Sequence, residues 1–323
     1  TDGDAGSGAR IAVCVVGQLS RLEIDSKIEY VLQPTAARRP APAALDVFLA
    51  LEEGSFLYSN LDFGAILAQQ HASCGPQRMT RAVAEAQLKP WLRGASYTNH
   101  TTRAIDLGQW RRYRKDRPTA ERQTRLQHHL SQFAHMRTCA QLIEDAEVEN
   151  GRHYDLILKM RDNTVAVSPV VLGAPPLGPS APKALSKRCV EWGGYNDKAM
   201  FIPRRFMGGA LRAPAEDFFL VPDTGRGIPN SERLLRKVLD RHHVKVDRVQ
   251  PGVLPLVDGR CSADGWCLVE EGKDCRPPSW AHPARPCEAH NMTAAQRALY
   301  AERFKPRAKI GGQLVKGIAM NEA

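Results

Sequence analysis

The stretch 154–164 combines an apolar strand with a cluster of charged and polar side chains at its end. In open α/β sheets, ligands bind just outside the carboxyl ends of the strands. We therefore predict that Arg161, Asp162 and Asn163 lie at a functional site. Carboxylate and amide oxygens are the ligands that hold a divalent cation on a diphosphate, which makes Asp162 and Asn163 candidate metal ligands. The alternative is that these residues only end a strand.

Two basic residues, Lys159 and Arg161, lie near the end of this predicted strand. Lys159 and Arg161 fall on one face of the predicted strand, because side chains alternate along a strand, and apolar residues fall on the other face. Either cation could bind the phosphates of a nucleotide. The alternative is an ion pair with Asp155 or Asp162.

A second strand end carries further polar groups. Residues 11–16 are continuously apolar, as expected of a strand that is covered on both faces, and Gly17, Gln18 and Arg21 follow them. The pattern is not the G-x-G-x-x-G fingerprint of dinucleotide-binding folds. The turn could receive a nucleotide, or it could be an ordinary turn.

Two acidic residues later in the chain are candidates for acid/base chemistry. Asp197 follows a Gly-Gly pair and precedes a short predicted strand, 199–203, which makes it the first candidate for a general base; the alternative is a turn cap. Glu232 is a weaker candidate. It falls in the first turn of a predicted helix over 230–241, where the helix macrodipole alone favours an acidic side chain.

Composition limits the class of protein. The chain has 323 residues, 43% of them hydrophobic, and contains no run of 18 apolar residues that could span a bilayer. The net charge of +10 favours anionic partners. No zinc-finger, helix-turn-helix or aromatic RNA-binding signature is present, so we expect no nucleic-acid partner. A secreted polyanion-binding protein remains an alternative.

The eight cysteines indicate an oxidising compartment. Cys261, Cys267, Cys275 and Cys287 have wide, irregular spacings that do not suit a zinc site, so we predict two local disulfides among them. Two N-x-T sequons begin at Asn99 and Asn291. Together these features predict the lumen of the secretory pathway, with any membrane attachment through an anchor outside this chain.

Elements along the chain alternate between strands and helices. Periodicity predicts helices over 78–93 and 120–150 and strands over 45–51 and 244–249, with a loop over 168–182. The helix 120–150 followed by the strand at 154–164 predicts a parallel crossover unit.

Several segments, taken in order, resemble one family. Residues 11–21 (IAVCVVGQLSR) resemble the opening strand and turn of GT-A-like glycosyltransferases, and residues 154–164 resemble their Y-D-x-x-x-R-x-R-x-D strand. Residues 133–139 resemble the helix before that strand, residues 196–202 a later N-D segment, and residues 230–232 an N-x-E helix start. The resemblance spans residues 10–250.

The resemblance implies transfer of a sugar from a nucleotide-sugar donor to an acceptor hydroxyl on a glycan or glycoprotein, with Mn²⁺ or Mg²⁺ as cofactor. It implies that Gly17, Gln18 and Arg21 face the nucleotide, that Arg161 and Asp162 face the diphosphate and the metal, and that Asp197 lies near the acceptor. The family often has an Asp where this chain has Asn163, which brings no charge. The basic residues could neutralise the leaving diphosphate instead, and an inactive luminal binding protein is the alternative to an enzyme.

We therefore expect an α/β fold of GT-A type, with a mixed, mostly parallel sheet and helices on both faces. The expected organisation is a flexible stem over 1–9, a glycosyltransferase domain over 10–257 and a disulfide-bearing, irregular C-terminal segment over 258–323. The expected location is the Golgi or endoplasmic reticulum lumen, as the luminal part of a type II membrane protein.

Overall fold

The computed structural model of the chain describes residues 8–19, 22–53, 79–99, 105–108, 110, 113, 118–189, 191–220, 230–261 and 267–269. Its strands are β1 (Arg10–Gln18), β2 (Ala44–Glu53), β3 (Leu92–Asn99), β4 (Leu156–Arg161), β5 (Thr164–Ala166), β6 (Ala184–Lys187), β7 (Ala199–Pro203), β8 (Val246–Val249), β9 (Leu256–Cys261) and β10 (Cys267–Val269). Its α-helices are α1 (Asp25–Lys27), α2 (Gln33–Ala37), α3 (Arg81–Leu88), α4 (Thr119–Asn150), α5 (Ala213–Glu216) and α6 (Ser231–Arg241). Short π-helical segments cover Ile28–Leu32 and Gly208–Arg212, and a 3₁₀ turn covers Arg204–Phe206.

Seven strands form one mixed sheet in the order β3-β2-β1-β4-β7-β6-β8. Four neighbouring pairs are parallel, and β7 runs antiparallel to both β4 and β6. A smaller antiparallel sheet joins β10, β9 and β5. Because β7 runs against β4, the residues just before β7 lie at the same edge of the sheet as the carboxyl ends of β1 and β4.

Both faces of the sheet are covered by apolar packing. Along β1 the side chains alternate: Ala12, Cys14 and Val16 pack in a cluster with α4 and α6, whereas Ile11, Val13 and Val15 pack with the segment 24–32 and with α3. The expected α/β fold, with a mixed, mostly parallel sheet between helices, is confirmed. The predicted parallel crossover is also present, since α4 links β3 to β4 in the parallel part of the sheet.

Two elements were predicted with the wrong extent. The first strand continues through Gly17 and Gln18, which were predicted as a turn, because both residues pair with β2. The helix predicted over 78–93 is α3, which ends at Leu88, and residues from Leu92 onward belong to β3 instead. Pro90 cannot continue a helix and disfavours helical backbone at the residue before it. Thr80 caps the start of α3, where its hydroxyl accepts a hydrogen bond from the Val83 N–H at 3.3 Å.

Cysteines cross-link the main domain. Cys14 in β1 and Cys139 in α4 form a disulfide between the sheet and the long helix, and both residues are buried. Cys189 is disulfide-bonded as well. These bonds fit a lumenal or secreted domain, because structural disulfides persist in oxidising compartments. The two disulfides predicted for the C-terminal segment involve side chains outside those described.

Several other predicted features fall partly or wholly outside the described residues. The predicted stem and residues 270–323 lie outside the described part, and the predicted domain boundary after residue 257 falls within β9. Asn99 is exposed at the end of β3, as a glycosylation site would need to be, whereas Asn291 is not among the described residues. Within the described ranges, no helix is both long enough and apolar enough to cross a bilayer.

Candidate functional site

The polar residues of interest gather at one edge of the large sheet. β4 ends at Arg161, which lies opposite Val16 of β1, so Gly17 and Gln18 at the end of β1 are adjacent to the end of β4. The Arg161 main-chain N–H donates to the Lys198 carbonyl at 2.8 Å, which brings the segment before β7 to the same place. The edge thus unites segments that are far apart in the chain.

Asp197 is the centre of this cluster. Its carboxylate is buried, and Oδ2 accepts hydrogen bonds from Gln132 Nε2 of α4 and from the Ser231 hydroxyl of α6, both at 2.9 Å. Arg161 NH1 lies 3.6 Å from Oδ2, and Lys198 Nζ lies 3.8 Å from Oδ1. Four side chains from four segments therefore converge on one carboxylate.

The charge of Asp197 follows from these contacts. Burial by itself raises the pKa of a carboxyl group, but the cations of Lys198, Arg161 and Lys159 outweigh burial and hold the pKa of Asp197 well below its usual range. The Gln132 hydrogen bond acts in the same direction. Asp197 is consequently an ionised, firmly held carboxylate.

Glu232 shows the opposite behaviour one helical position after Ser231. Burial, and then the negative charge of Asp197, raise the pKa of Glu232 to about 8. Ser231 Oγ lies 3.2 Å from Glu232 Oε2 and 2.9 Å from Asp197 Oδ2. The Ser231 hydroxyl can donate to either carboxyl group, and because it has one proton it donates to one of them at a time. The three side chains form one hydrogen-bonded chain.

Lys159 lies beneath this cluster on the same face of β4 as Arg161. Its ammonium donates to the main-chain carbonyl of Asp197. Burial lowers the pKa of Lys159 to about 7, and the positive charge of Arg161 lowers it as well, although Asp197 opposes this. Lys159 is therefore a weaker source of positive charge at neutral pH than Arg161. Of the two cations, Arg161 pairs with the Asp197 carboxylate, with 3.6 Å between NH1 and Oδ2, whereas Lys159 binds the Asp197 main chain.

The end of β1, Gly17 and Gln18, packs directly on Asp162. Asp162 is fully buried, and its Oδ2 accepts the Gln18 main-chain N–H at 3.0 Å. Gly17 has a φ of +137°, and a Cβ at this position would lie 2.2 Å from Asp162 Oδ1. Gln18 is 7% exposed, and its Oε1 has no hydrogen-bond partner within the described part of the chain. An amide oxygen that is buried at a strand end without a partner can accept a hydrogen bond from a ligand.

The predicted metal ligands are Asp162 and Asn163. Both lie in the turn between β4 and β5 and are at least nine-tenths buried. Lys27 fixes this turn, since its Nζ donates to the main-chain carbonyls of Asp162 and Thr164 at 2.9 and 2.5 Å. Among the described residues, no group of three or more His, Cys, Asp or Glu side chains is arranged to hold a metal ion. The cation thus stays a prediction, as does Arg21, which lies outside the described residues.

The loop before Asp197 is pressed against the start of α6. A Cβ on Gly194 would lie 2.0 Å from the main-chain carbonyl of Glu232, so this approach requires glycine. The Tyr195 N–H donates to the same carbonyl at 3.2 Å. Asn196 shapes the next turn, because its Oδ1 accepts the Lys198 N–H at 2.9 Å and its Nδ2 donates to the Cys189 carbonyl at 2.6 Å. The Gly-Gly pair and Asn196 thus position Asp197 and Glu232 relative to each other.

Comparison with known proteins adds a distant structural likeness. No protein-family model matches the chain, and no curated protein matches it in sequence. Among solved structures, the apo form of mouse xyloside xylosyltransferase 1 is similar over 75% of this chain and 85% of that chain, with 9% sequence identity and a TM-score of 0.34. A likeness of this size carries no argument about activity, so the chain's own residues must supply one.

Three members of the cluster were not predicted as site residues: Gln132, Lys198 and Ser231. Ser231 follows the N-cap residue of α6, Asn230, whose Oδ1 accepts the Arg233 N–H at 2.9 Å. Gln132 could have been suspected, because it is a polar residue beside Phe133 on a helix whose buried side is apolar. Lys198 gave no signal beyond its position next to Asp197.

Proposed function

We propose that the chain is a glycosyltransferase that moves a sugar from a nucleotide-diphosphate sugar to an acceptor hydroxyl on a glycan or glycoprotein. The observation that carries this proposal is the pair Asp197 and Glu232, two buried carboxyl groups whose surroundings drive their pKa values in opposite directions. Such pairs divide acid and base roles in many active sites. The ordered resemblance of the segments over 10–250 supports sugar transfer as the reaction.

Glycosyl transfer develops positive charge on the sugar and negative charge on the departing diphosphate. Preorganised cations at the leaving group lower the barrier to such a reaction. Arg161 and Lys198 are placed for this role at the carboxyl end of β4, beside Gly17 and Gln18 at the end of β1. In the proposal the diphosphate lies at this edge, and Gln18 Oε1 accepts a hydrogen bond from the nucleotide.

We assign the general base to Glu232 rather than to Asp197, which reverses the order of preference from sequence. A base works best when its pKa is close to the working pH, and the pKa of Glu232 is raised to about 8. Asp197, whose pKa is held far below this, is a weak base. Its proposed role is to hold Arg161, Lys198 and Ser231 in place and to raise the pKa of Glu232. Loss of a general base costs about 100-fold to 10,000-fold in rate.

A divalent cation, Mn²⁺ or Mg²⁺, remains part of the proposal, with Asp162 and Asn163 as its ligands. Such a cation would neutralise charge on the diphosphate, and one or two protein carboxylates together with substrate phosphates are enough to hold Mg²⁺. The role requires Asp162 to share its carboxylate with the Gln18 N–H. The buried position of the turn and the fixed Lys27 contacts would restrict where the ion binds.

The proposed setting is the lumen of the Golgi or endoplasmic reticulum, with a type II anchor outside this chain. The Cys14–Cys139 disulfide supports an oxidising compartment. The acceptor is a glycan or glycoprotein in the same compartment. The net charge of +10 supports an anionic donor and equally supports the alternative, a luminal protein that only binds nucleotide sugars or polyanions.

Thermal unfolding with UDP or GDP, with and without Mn²⁺, tests the donor site. We expect a nucleoside diphosphate to raise the Tm of the wild-type chain, because a ligand that binds only the folded state stabilises it. The rise should be much smaller in Arg161→Gln. Arg93→Gln is the matched control. Arg93 is the second residue of β3 and pairs with Glu149 on the surface.

Slow hydrolysis or transfer of a nucleotide sugar tests the reaction. We expect Glu232→Gln to lose this activity and to keep its fold, and Asp162→Ala to lose it together with its Mn²⁺ dependence. If no nucleotide raises the Tm and heparin retention falls steeply with salt, the polyanion-binding alternative replaces the enzyme.

A further inference from the structure

Trp192 is an exposed aromatic residue close to the candidate site. Trp192 is 52% exposed and lies five positions before Asp197 in the sequence. Its backbone has a φ of +44°, in the left-handed region that bulky residues rarely adopt. A Trp that is both exposed and held in a disfavoured conformation needs a reason, since strained residues cluster at binding sites.

The main chain, not the indole, attaches this residue to the protein. The Trp192 carbonyl accepts hydrogen bonds from Asn230 Nδ2 and Arg233 Nε, both at 3.2 Å. Arg248 NH2 donates to the Gly194 carbonyl at 3.2 Å. The loop is therefore fixed by donors from α6 and β8, while about half of the Trp192 surface is exposed. Burial of the indole does not explain the conformation.

The same loop is joined to the proposed base. The Tyr195 N–H donates to the Glu232 carbonyl, and Gly194 packs directly on the Glu232 main chain. The position of Trp192 relative to Glu232 is consequently set by the backbone of one short loop. The backbone that carries the indole is thus ordered before a ligand binds, which reduces the entropy lost on binding.

The location separates Trp192 from the proposed nucleotide edge. Gly17 and Gln18 end β1, whereas the Trp192 loop is held by β8 and α6 and leads into β7. In the sheet order, β1 lies on one side of β4, and β7, β6 and β8 lie on the other. The strands that hold the Trp192 loop and the strand that carries Gly17 and Gln18 thus lie on different sides of β4.

We propose that the Trp192 indole is a stacking platform for a pyranose ring of the acceptor glycan, which it orients towards Glu232. One face of a pyranose consists of C–H bonds, and such a face packs on the electron-rich face of an aromatic ring. This inference rests on the proposed function for the identity of the ligand as an acceptor, but binding of a sugar to Trp192 is a separate claim.

The test uses the full chain and a printed array of oligosaccharides built from hexopyranoses, hexosamines and uronic acids. We expect the wild-type chain to bind a subset of these glycans. Trp192→Ala and Trp192→Gly should bind the same glycans at least about tenfold more weakly, which corresponds to 1.4 kcal/mol. Trp192→Phe, which keeps an aromatic face, should retain most of the affinity. Val148→Ala, an exposed apolar residue at the far end of α4, is the control and should bind as the wild type does.

Thermal unfolding separates a binding role from a structural one. Glycine adopts a positive φ without steric cost, so Trp192→Gly should leave Tm unchanged or raise it while glycan binding is lost. A lower Tm in Trp192→Gly, unchanged glycan binding in Trp192→Ala, or no glycan binding by the wild-type chain would each overturn the platform.

Nucleotide-sugar hydrolysis by the wild-type chain tests the proposed function independently. If the chain binds glycans through Trp192 but hydrolyses no nucleotide sugar, the platform stands and the transferase fails. If the chain hydrolyses a donor but ignores Trp192 in glycan binding, the transferase stands and the platform fails.

Discussion

Asp197 and Glu232 share one hydroxyl group, because Ser231 Oγ lies 2.9 Å from Asp197 Oδ2 and 3.2 Å from Glu232 Oε2. The two carboxyl groups are close enough for the charge on Asp197 to raise the pKa of Glu232. Arg161 and Lys198 stabilise the ionised form of Asp197, so the proton remains on Glu232. The order of protonation is set by these cations, and it can be tested by removing one group at a time.

The first prediction concerns stability and pH. The pKa of Glu232 is raised from its ordinary 4.5 to about 8, so the folded chain binds more protons than the unfolded chain between these values. Its contribution to the free energy of unfolding is fully present below pH 4.5 and is lost as pH rises through 8. Glu232→Gln mimics the protonated acid and removes this loss. We therefore expect Glu232→Gln to become more stable relative to the wild type from pH 5 to pH 8.

Urea unfolding at several pH values measures this difference. Each pKa unit corresponds to about 1.4 kcal/mol, so the relative gain should be on the order of a few kcal/mol. Glu216→Gln is the control, since that side chain is half-exposed and pairs only loosely with Arg212. Parallel curves for the wild type and Glu232→Gln would show that Glu232 titrates normally.

The second prediction concerns Ser231. Ser231→Ala removes one hydrogen bond to a buried carboxylate, which should lower the free energy of unfolding by about 1–3 kcal/mol. The Ser231 hydrogen bond also lowers the pKa of Glu232, so its loss should raise that pKa further. In the proposed mechanism, the acid limb of the pH–rate profile then moves to higher pH.

Thr80→Ala is the matched control for Ser231→Ala. Thr80 also places a hydroxyl at the start of a helix, but in α3, and its loss should cost about 1 kcal/mol. The control should leave the pH–rate profile unmoved. A Ser231→Ala profile that coincides with the wild type would remove Ser231 from the site.

The sequence predicted the elements with strong periodicity and missed those without it. The apolar strand at 11–16, the helix at 120–150 and the strand before Arg161 all appear, because long regular patterns reflect burial directly. β3 was missed. Its sequence, 92–99, contains Gly94 and several polar residues, and it becomes a strand through pairing with β2 rather than through its own propensity.

The sequence named candidate residues that lie close together in the fold, but it did not indicate their charge states. The polar ends of β1 and β4 and the Asn196–Asp197 pair were expected together, and β7 does bring Asp197 to the end of β4. Gln132 lies 65 positions from Asp197, so its hydrogen bond depends on how α4 packs. The raised pKa of Glu232 likewise depends on burial and on the charge of Asp197, which is distant in the sequence. Neither is encoded in a local pattern.

The third prediction concerns the disulfide. Cys14 and Cys139 are separated by 125 positions, and their cross-link restricts the unfolded chain. The double variant Cys14→Ala/Cys139→Ala should therefore lose about 2–4 kcal/mol in the free energy of unfolding under non-reducing conditions. The double variant is more selective than a reductant, because Cys189 is also disulfide-bonded. An unchanged urea midpoint would mean that α4 is held to the sheet by packing alone.

The fourth prediction concerns Gly17. A Cβ here would lie 2.2 Å from Asp162 Oδ1, and the φ of +137° is unfavourable for any other residue. Gly17→Ala must therefore displace the Asp162 carboxylate from the Gln18 N–H. Overpacking of this kind costs about 1–3 kcal/mol, and the nucleoside-diphosphate response should be lost with it, because both residues belong to the proposed donor edge.

Gly151→Ala is the control that isolates the steric contact. Gly151 also has a positive φ, +62°, but a Cβ there would meet nothing within 4 Å. It should cost only the conformational penalty, about 1–2 kcal/mol, and leave the rise in Tm with UDP or GDP intact. If both variants lose the same stability and keep the same response, the contact between Gly17 and Asp162 has no part in forming the donor edge. If Gly17→Ala alone loses the response, the end of β1 and the turn after β4 act as one binding unit, joined through the Asp162 carboxylate.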